Sequence, residues 1–132
     1  MIYEYVLDRL KDAPILGADI YPVGVNIDDI YTADNDFRFT VYLIRGRTPM
    51  YDLEGNVHHY REDIVVDFIC RTYDIVHQMY DAAERAFTAA ASRFGDQWIH
   101  NVECSSPEPD AYDLEYGLYR RTMLVRIDWS PV

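Results

Sequence analysis

Cysteine is scarce in this 132-residue chain, with Cys70 inside an alternating apolar run and Cys104 opening a polar loop. Two thiols in such different settings argue against a disulfide framework, and a domain of this size has core enough without one. Long apolar runs are missing too. Nothing approaches the roughly 20 residues that a membrane-crossing helix needs, and residues 1–8 lack a basic segment followed by a clean apolar stretch. The expectation is neither a membrane protein nor a secreted precursor. Basic residues are few: 12 Lys and Arg stand against 23 Asp and Glu, a formal net charge of −11. Such a surface repels phosphate backbones, so no sequence-specific nucleic-acid binding is expected. Signature motifs are absent as well. There is no Gly-rich phosphate loop, no His-Glu-x-x-His, no paired Cys-x-x-Cys and no Gly-x-Ser-x-Gly, which removes the enzyme classes that carry them.

What is present reads as one ordinary folded domain. Hydrophobic residues make up 49% and charged residues 27%, close to the globular average, and the length suits a single domain over residues 1–132. Ile2, Tyr3, Val6, Leu7 and Leu10 recur at helical spacing, predicting a short amphipathic helix over residues 2–12 that Pro14 helps to stop. Residues 20–27, interrupted by Pro22 and Gly24, suit an edge strand. The acidic stretch at residues 28–36 breaks regular structure. A strand over residues 37–45 sets Phe37, Phe39, Val41 and Leu43 against Arg38, Thr40, Tyr42 and Ile44. Residues 46–59, with Gly46, Pro49, Asp52, Gly55 and Asn56, read as a long exposed connection.

The next strand, residues 62–71, alternates Ile64, Val66, Phe68 and Cys70 with Asp63, Val65, Asp67, Ile69 and Arg71, and should pair antiparallel with the strand before it. Val76, Met79, Tyr80, Ala83, Phe87, Ala90 and Phe94 form a helical stripe over residues 74–94. Thr72 or Asp74 serves as its cap and Gly95 as its stop. Residues 99–104 make a shorter strand. Residues 117–129 make a long one, with Tyr119, Met123, Val125, Ile127 and Trp129 on its greasy face. The fold class that follows is α+β: an antiparallel-rich mixed sheet of about five strands with two helices packed on one face. Val76, Met79, Ala83 and Phe87 should pack on Phe39, Val41, Val66, Phe68, Val125 and Ile127.

Candidate chemistry is sparse. His58 and His59 lie near Asp52 and Glu54, but neighbours on an extended chain face opposite sides and seldom share one ion. The turn with Asp28, Asp29, Asp34, Asn35 and Asp36 offers oxygen ligands without the spacing of a calcium loop, and reads better as solvated. His77 and His100 have no charged partner at a telling interval. Cys70 reads as a small buried hydrophobe. Tyrosine is abundant at 12 residues. Tyr31, Tyr42, Tyr51, Tyr60, Tyr112, Tyr116 and Tyr119 fall in loops or near strand ends, as suits subunit interfaces or the edges of the core.

The order of segments carries a resemblance. An amphipathic helix over residues 2–12 leads to Ile20-Tyr21-Pro22, Phe39-Thr40-Val41-Tyr42 and Ile64-Val65-Val66-Asp67-Phe68-Ile69-Cys70. Thr72-Tyr73-Asp74 then opens a long Ala-rich helix, and Met123-Leu124-Val125-Arg126-Ile127-Asp128-Trp129 is the final strand. Over nearly the whole chain this resembles the tail-terminator and tail-completion proteins of long-tailed bacteriophages, including the lambda type, and their neighbours at the head-tail junction. The resemblance implies a structural, non-enzymatic virion subunit of the tail or neck, assembled in the host cytoplasm. It implies a hexameric ring that caps the tail tube and offers a surface to the head, with tube and head-completion proteins as partners. No catalytic residue, cofactor or metal comes with it. DNA passing through such a ring would slide past a carboxylate lining, and Asp28, Asp29, Asp34 and Asp36, or Asp52 and Glu54, are the candidates. A neck connector is one alternative. A small enzymatic or ligand-binding domain, with His77 or Cys70 in a deep pocket, is another.

Overall fold

The computed structural model describes residues 2–17, 19–88 and 93–132. The N-terminal periodicity becomes helix α1, Ile2–Lys11, burying Ile2, Tyr5, Val6 and Leu10. A 3-10 turn, Pro14–Leu16, follows. Strand β1, Ile20–Pro22, is shorter than the segment expected there. Within the acidic stretch, Asn26 caps a four-residue helix α2, Ile27–Ile30, its side chain accepting from the Asp28 amide. Two long strands come next, β2 at Arg38–Tyr51 and β3 at Val57–Cys70. Helix α3 spans Tyr73–Thr88, and the Thr72 carbonyl accepts from the Val76 amide at its start. The chain continues through β4 (Arg93–Phe94), β5 (Gln97–Ser105), β6 (Ala111–Asp113) and β7 (Leu118–Pro131).

The strands form one mixed sheet in the order β1-β2-β3-β7-β5-β4, with β6 also pairing with β7. Among the described residues only β1 runs parallel to its neighbour; the other pairings are antiparallel. The class is α+β, but among the described residues the sheet has seven strands rather than about five, and α2 adds a third helix. The additional strands β4 and β6 are two and three residues long, too short for alternation to register.

The segment at residues 46–59 is not a loose connection. Strand β2 runs through Gly46 and Pro49, so only residues 52–56 turn, and a bulge between Ile44 and Gly46 takes up the irregularity. Proline is tolerated because the outer side of β2 pairs with β1 only from Thr40 to Tyr42. Helix α3 is also shorter than its stripe suggested. Ala90 lies outside the described residues, and Phe94 belongs to β4, where its ring meets Tyr5 edge-on at 5.6 Å. Gly95 has the positive φ expected of it, 59°, but uses it in the tight turn from β4 to β5.

The core lies between the two larger helices and one face of the sheet. Ile64, Val66, Phe68 and Cys70 of β3 and Met123, Val125 and Ile127 of β7 pack against Val76, Met79, Ala83 and Phe87 of α3, with α1 beside them. Phe39 and Val41 do not join them. The register pairs Thr40 with Phe68 and Tyr42 with Val66, and directly opposed residues share a face, so Thr40 and Tyr42 take the core side. Phe39 is still buried, at 5% exposure, but on the other side, against the rings of Tyr21 and Phe37. That side mixes apolar residues such as Ile69, Leu118 and Leu124 with paired charges. Arg61 meets Asp128 at 2.8 Å, Arg126 meets Asp63 at 2.9 Å, and the Thr122 hydroxyl donates to Asp67 at 2.6 Å.

Phe87 has no exposed surface. Replacing it by Ala should cost about 3–5 kcal/mol of unfolding free energy in urea titration. A loss under about 1 kcal/mol would remove Phe87 from the core.

Candidate functional site

The feature that departs most from a plain two-layer fold is the β2–β3 hairpin. Pairing of β3 with β7 stops at Tyr60↔Trp129, whereas β2 and β3 stay paired as far as Tyr51↔Val57. The hairpin therefore projects as an arm. At its root, Tyr60 stacks on Trp129 with centroids 5.0 Å apart, and the Arg47 guanidinium lies 5.1 Å and 5.4 Å from the two rings. Arg47 Nε donates to Glu62 Oε1 at 2.8 Å, and Trp129 Nε1 donates to the same oxygen at 3.2 Å. Glu62 is 1% exposed. A buried carboxylate is tolerated when it is paired and hydrogen-bonded, and both partners here come from other strands.

The arm ends in a turn organised by Asp52. Its Oδ1 accepts from the Glu54 and Asn56 amides, both at 2.9 Å. Tyr51 and Val57 flank the turn at 64% and 45% exposure, and Leu53 at its tip is fully exposed.

The candidate carboxylates are all exposed but fall in two separate places. Asp28, Asp29, Asp34 and Asp36 precede β2, while Asp52 and Glu54 lie beyond its far end, about 40 Å away at the usual strand rise. The first group is held firmly. The Tyr116 hydroxyl donates to Asp28, and that bond, with some burial, pushes the phenol up to about 12. Arg71 donates to the carbonyls of Thr32 and Asp34 and to the Tyr31 hydroxyl, at 2.8, 3.0 and 3.1 Å. Asp34 and Asp36, with Asp19, Tyr21, Phe37 and Arg38, line a cavity of about 370 Å³.

Other expectations divide. Cys70 is buried, as its alternation implied. Burial pushes the Cys104 thiol up to about 12, which is no setting for a nucleophile. The His59 ring lies 6.1 Å from that of His100, and His100 Nε2 contacts the Ser130 hydroxyl at 2.8 Å. The His58 side chain is outside the described residues. Among the described residues no group of three His, Cys, Asp or Glu is placed to hold a metal.

His77 does have a charged partner. Asp110 lies 3.1 Å from its Nε2, and accepts as well from the Tyr73 hydroxyl at 2.9 Å and from Arg121 at 3.1 Å. This cluster ties the proline-containing loop to α3 and β7. No signal in the sequence links residues so far apart.

No protein-family model and no curated protein matches the sequence. Among solved structures, a chain of the virion of a native gene transfer agent particle is similar to this one. The TM-score is 0.51, with 94% of this chain and 90% of that chain covered. The two share a fold. At 12% identity, the likeness lies in the architecture and not in particular side chains.

Two outcomes follow from the ion pairs. Arg47→Ala should cost about 2–3 kcal/mol in urea unfolding, because it strands the buried Glu62 carboxylate, whereas Arg47→Leu with Glu62→Leu should recover most of the loss. A silent Arg47→Ala would show that Trp129 alone satisfies Glu62. Burial pushes the Asp110 carboxyl up, but Tyr73, Arg121 and His77 together outweigh it and hold it below its usual value. Its contribution is therefore present above the unfolded pKa near 4 and is lost as pH falls through the folded value. Thermal midpoints should show Asp110→Asn less stable than the parent at neutral pH, with the gap narrowing below pH about 4. A gap independent of pH would refute this.

Proposed function

We propose that this chain is a structural subunit of a phage virion. In the finer reading it is a tail-terminator or tail-completion subunit that caps the tail tube as a ring and joins it to the head. The observation that carries the proposal is the likeness to a virion chain across 94% of the sequence, which agrees with the order of segments that resembles the tail-terminator family. The role is non-enzymatic.

A ring around a DNA passage fits the net charge of −11, since fixed negative charge lets phosphate slide. Of the two acidic groups, the one preceding β2 is the better lining. Arg71 and Tyr116 hold that loop in place, and it offers four of the candidate carboxylates against two in the Asp52 turn.

The test is co-sedimentation of the purified chain with assembled tail tubes and, separately, with filled heads. Closed cyclic symmetry requires a fixed stoichiometry, about six copies per tube end for this family's ring. Binding to heads in preference to tubes would move the subunit to the neck. Binding to neither would sink the virion reading.

A further inference from the structure

The face of the sheet away from α1 and α3 is hollowed at one end. Phe39, Ile69 and Arg120 lie side by side across β2, β3 and β7, and with Leu118 and the Ile27 of α2 they help to enclose a cavity of about 330 Å³. Phe39 and Leu118 are buried, so its floor is apolar. The walls are fixed from outside. The Tyr116 hydroxyl donates to Asp28, and the Tyr31 ring packs on those of Phe37 and Tyr116 at 5.5 and 5.4 Å. These contacts tie α2 to the turn between β6 and β7, which makes the hollow a preformed one.

Charge defines what the cavity can hold. Among its lining residues only Arg120 and Asp113 are charged. Asp113 gives its Oδ1 to the amides of Glu115 and Tyr116. Of the arginines of β7, Arg121 is paired with Asp110 and Arg126 with Asp63, whereas the Arg120 side chain has no ion pair or hydrogen bond among the described residues. A guanidinium fork matches a carboxylate through two parallel hydrogen bonds, and apolar surroundings strengthen them relative to water. The chain's net charge of −11 penalises each further negative charge on an incoming molecule. A single carboxylate on an apolar body meets both conditions; a phosphate or a diacid does not.

We propose that this cavity is a binding site for an apolar group that ends in one carboxylate: Arg120 holds the carboxylate, and Ile27, Phe39, Ile69 and Leu118 hold the apolar body. At about 330 Å³ it lies at the small end of ligand pockets, which suits one aromatic or branched aliphatic group. The same chemistry comes from a free organic acid or from the apolar C-terminal residue of another protein. The site stands on its own geometry and does not depend on the virion reading.

The experiment is titration of the full chain with phenylacetate, its primary amide and inorganic phosphate, followed through backbone amide chemical shifts. It is repeated for Arg120→Gln and for Ile69→Thr, which makes one wall more polar. Arg120 is exposed, so circular dichroism of Arg120→Gln should match the parent. Phenylacetate should shift the amides of Ile69, Leu118 and Arg120. The primary amide and phosphate should bind the parent at least about tenfold more weakly, and each folded variant should lose phenylacetate affinity by a similar factor. If Ile69→Thr does not fold, Arg120→Gln and the primary amide still decide. No shift at those positions with about 10 mM phenylacetate overturns the proposal. So does an acid that binds no better than its amide, phosphate that binds as tightly as the acid, or Arg120→Gln binding like the parent. A short peptide ending in phenylalanine, with a free or an amidated C-terminus, sorts the source. Tighter binding of the free-carboxylate peptide than of phenylacetate assigns the cavity to a chain end, the reverse order assigns it to a free acid, and both uphold the site.

Discussion

The antiparallel pairing of β3 with β7, from Tyr60↔Trp129 to Cys70↔Tyr119, is the constraint from which the other elements take their places. It lays Ile64, Val66 and Phe68 beside Val125, Met123 and Arg121 and so makes the floor on which α3 rests. A slip of one residue would turn those apolar side chains to the open face and set Asp63 and Asp67 beneath the helix. Burying unpaired carboxylates costs several kcal/mol each, on the order of a domain's whole stability. The open face enforces the same register independently. Its contacts of Arg61 with Asp128, Arg126 with Asp63 and Thr122 with Asp67 exist only in that alignment.

Glu62 breaks the apolar pattern on the core side, and the break has a position. It falls at the root of the arm, two residues from the last β3–β7 pair, where β2 and β7 both satisfy its carboxylate. Three strands are tied together at one buried oxygen. The arm is therefore firmly rooted although its outer part pairs with no third strand among the described residues.

Much of this architecture could be read from the residues. The alternation around Ile64, Val66 and Phe68, the matching run from Met123 to Trp129, and the stripe of Val76, Met79, Ala83 and Phe87 appear in the positions that periodicity assigned them. The misreadings have physical causes. In β2 both alternating sets contain apolar residues, and Phe39 looked a better core residue than Thr40 until the pairing with Phe68 decided otherwise. Gly46 and Pro49 read as loop because their usual cost in a strand disappears where an edge is unpaired and a bulge is present. Glu62 looked like the polar start of a strand, since its partners come from Arg47 and a tryptophan 67 residues later. The cluster of His77, Tyr73 and Arg121 around Asp110 was hidden for the same reason. The acidic candidates were visible as composition; their separation to the two ends of the β2–β3 hairpin was not.

Placing the strand that follows all others in sequence at the middle of the sheet has a kinetic consequence. The β2–β3 hairpin and α3 can form from local contacts, but the core floor stays half built until β7 arrives and inserts between β3 and β5. Closing that distance costs chain entropy before any contact compensates it, which puts such topologies among the slower folders, roughly milliseconds to seconds. Throughout that interval the inner edge of β3 and the faces of Ile64, Val66 and Phe68 stand open to other chains. On a ribosome building from the N-terminus, the apolar half-sheet emerges well before the strand that seals it, so crowded synthesis of many copies exposes this sequence to misassembly at its very centre.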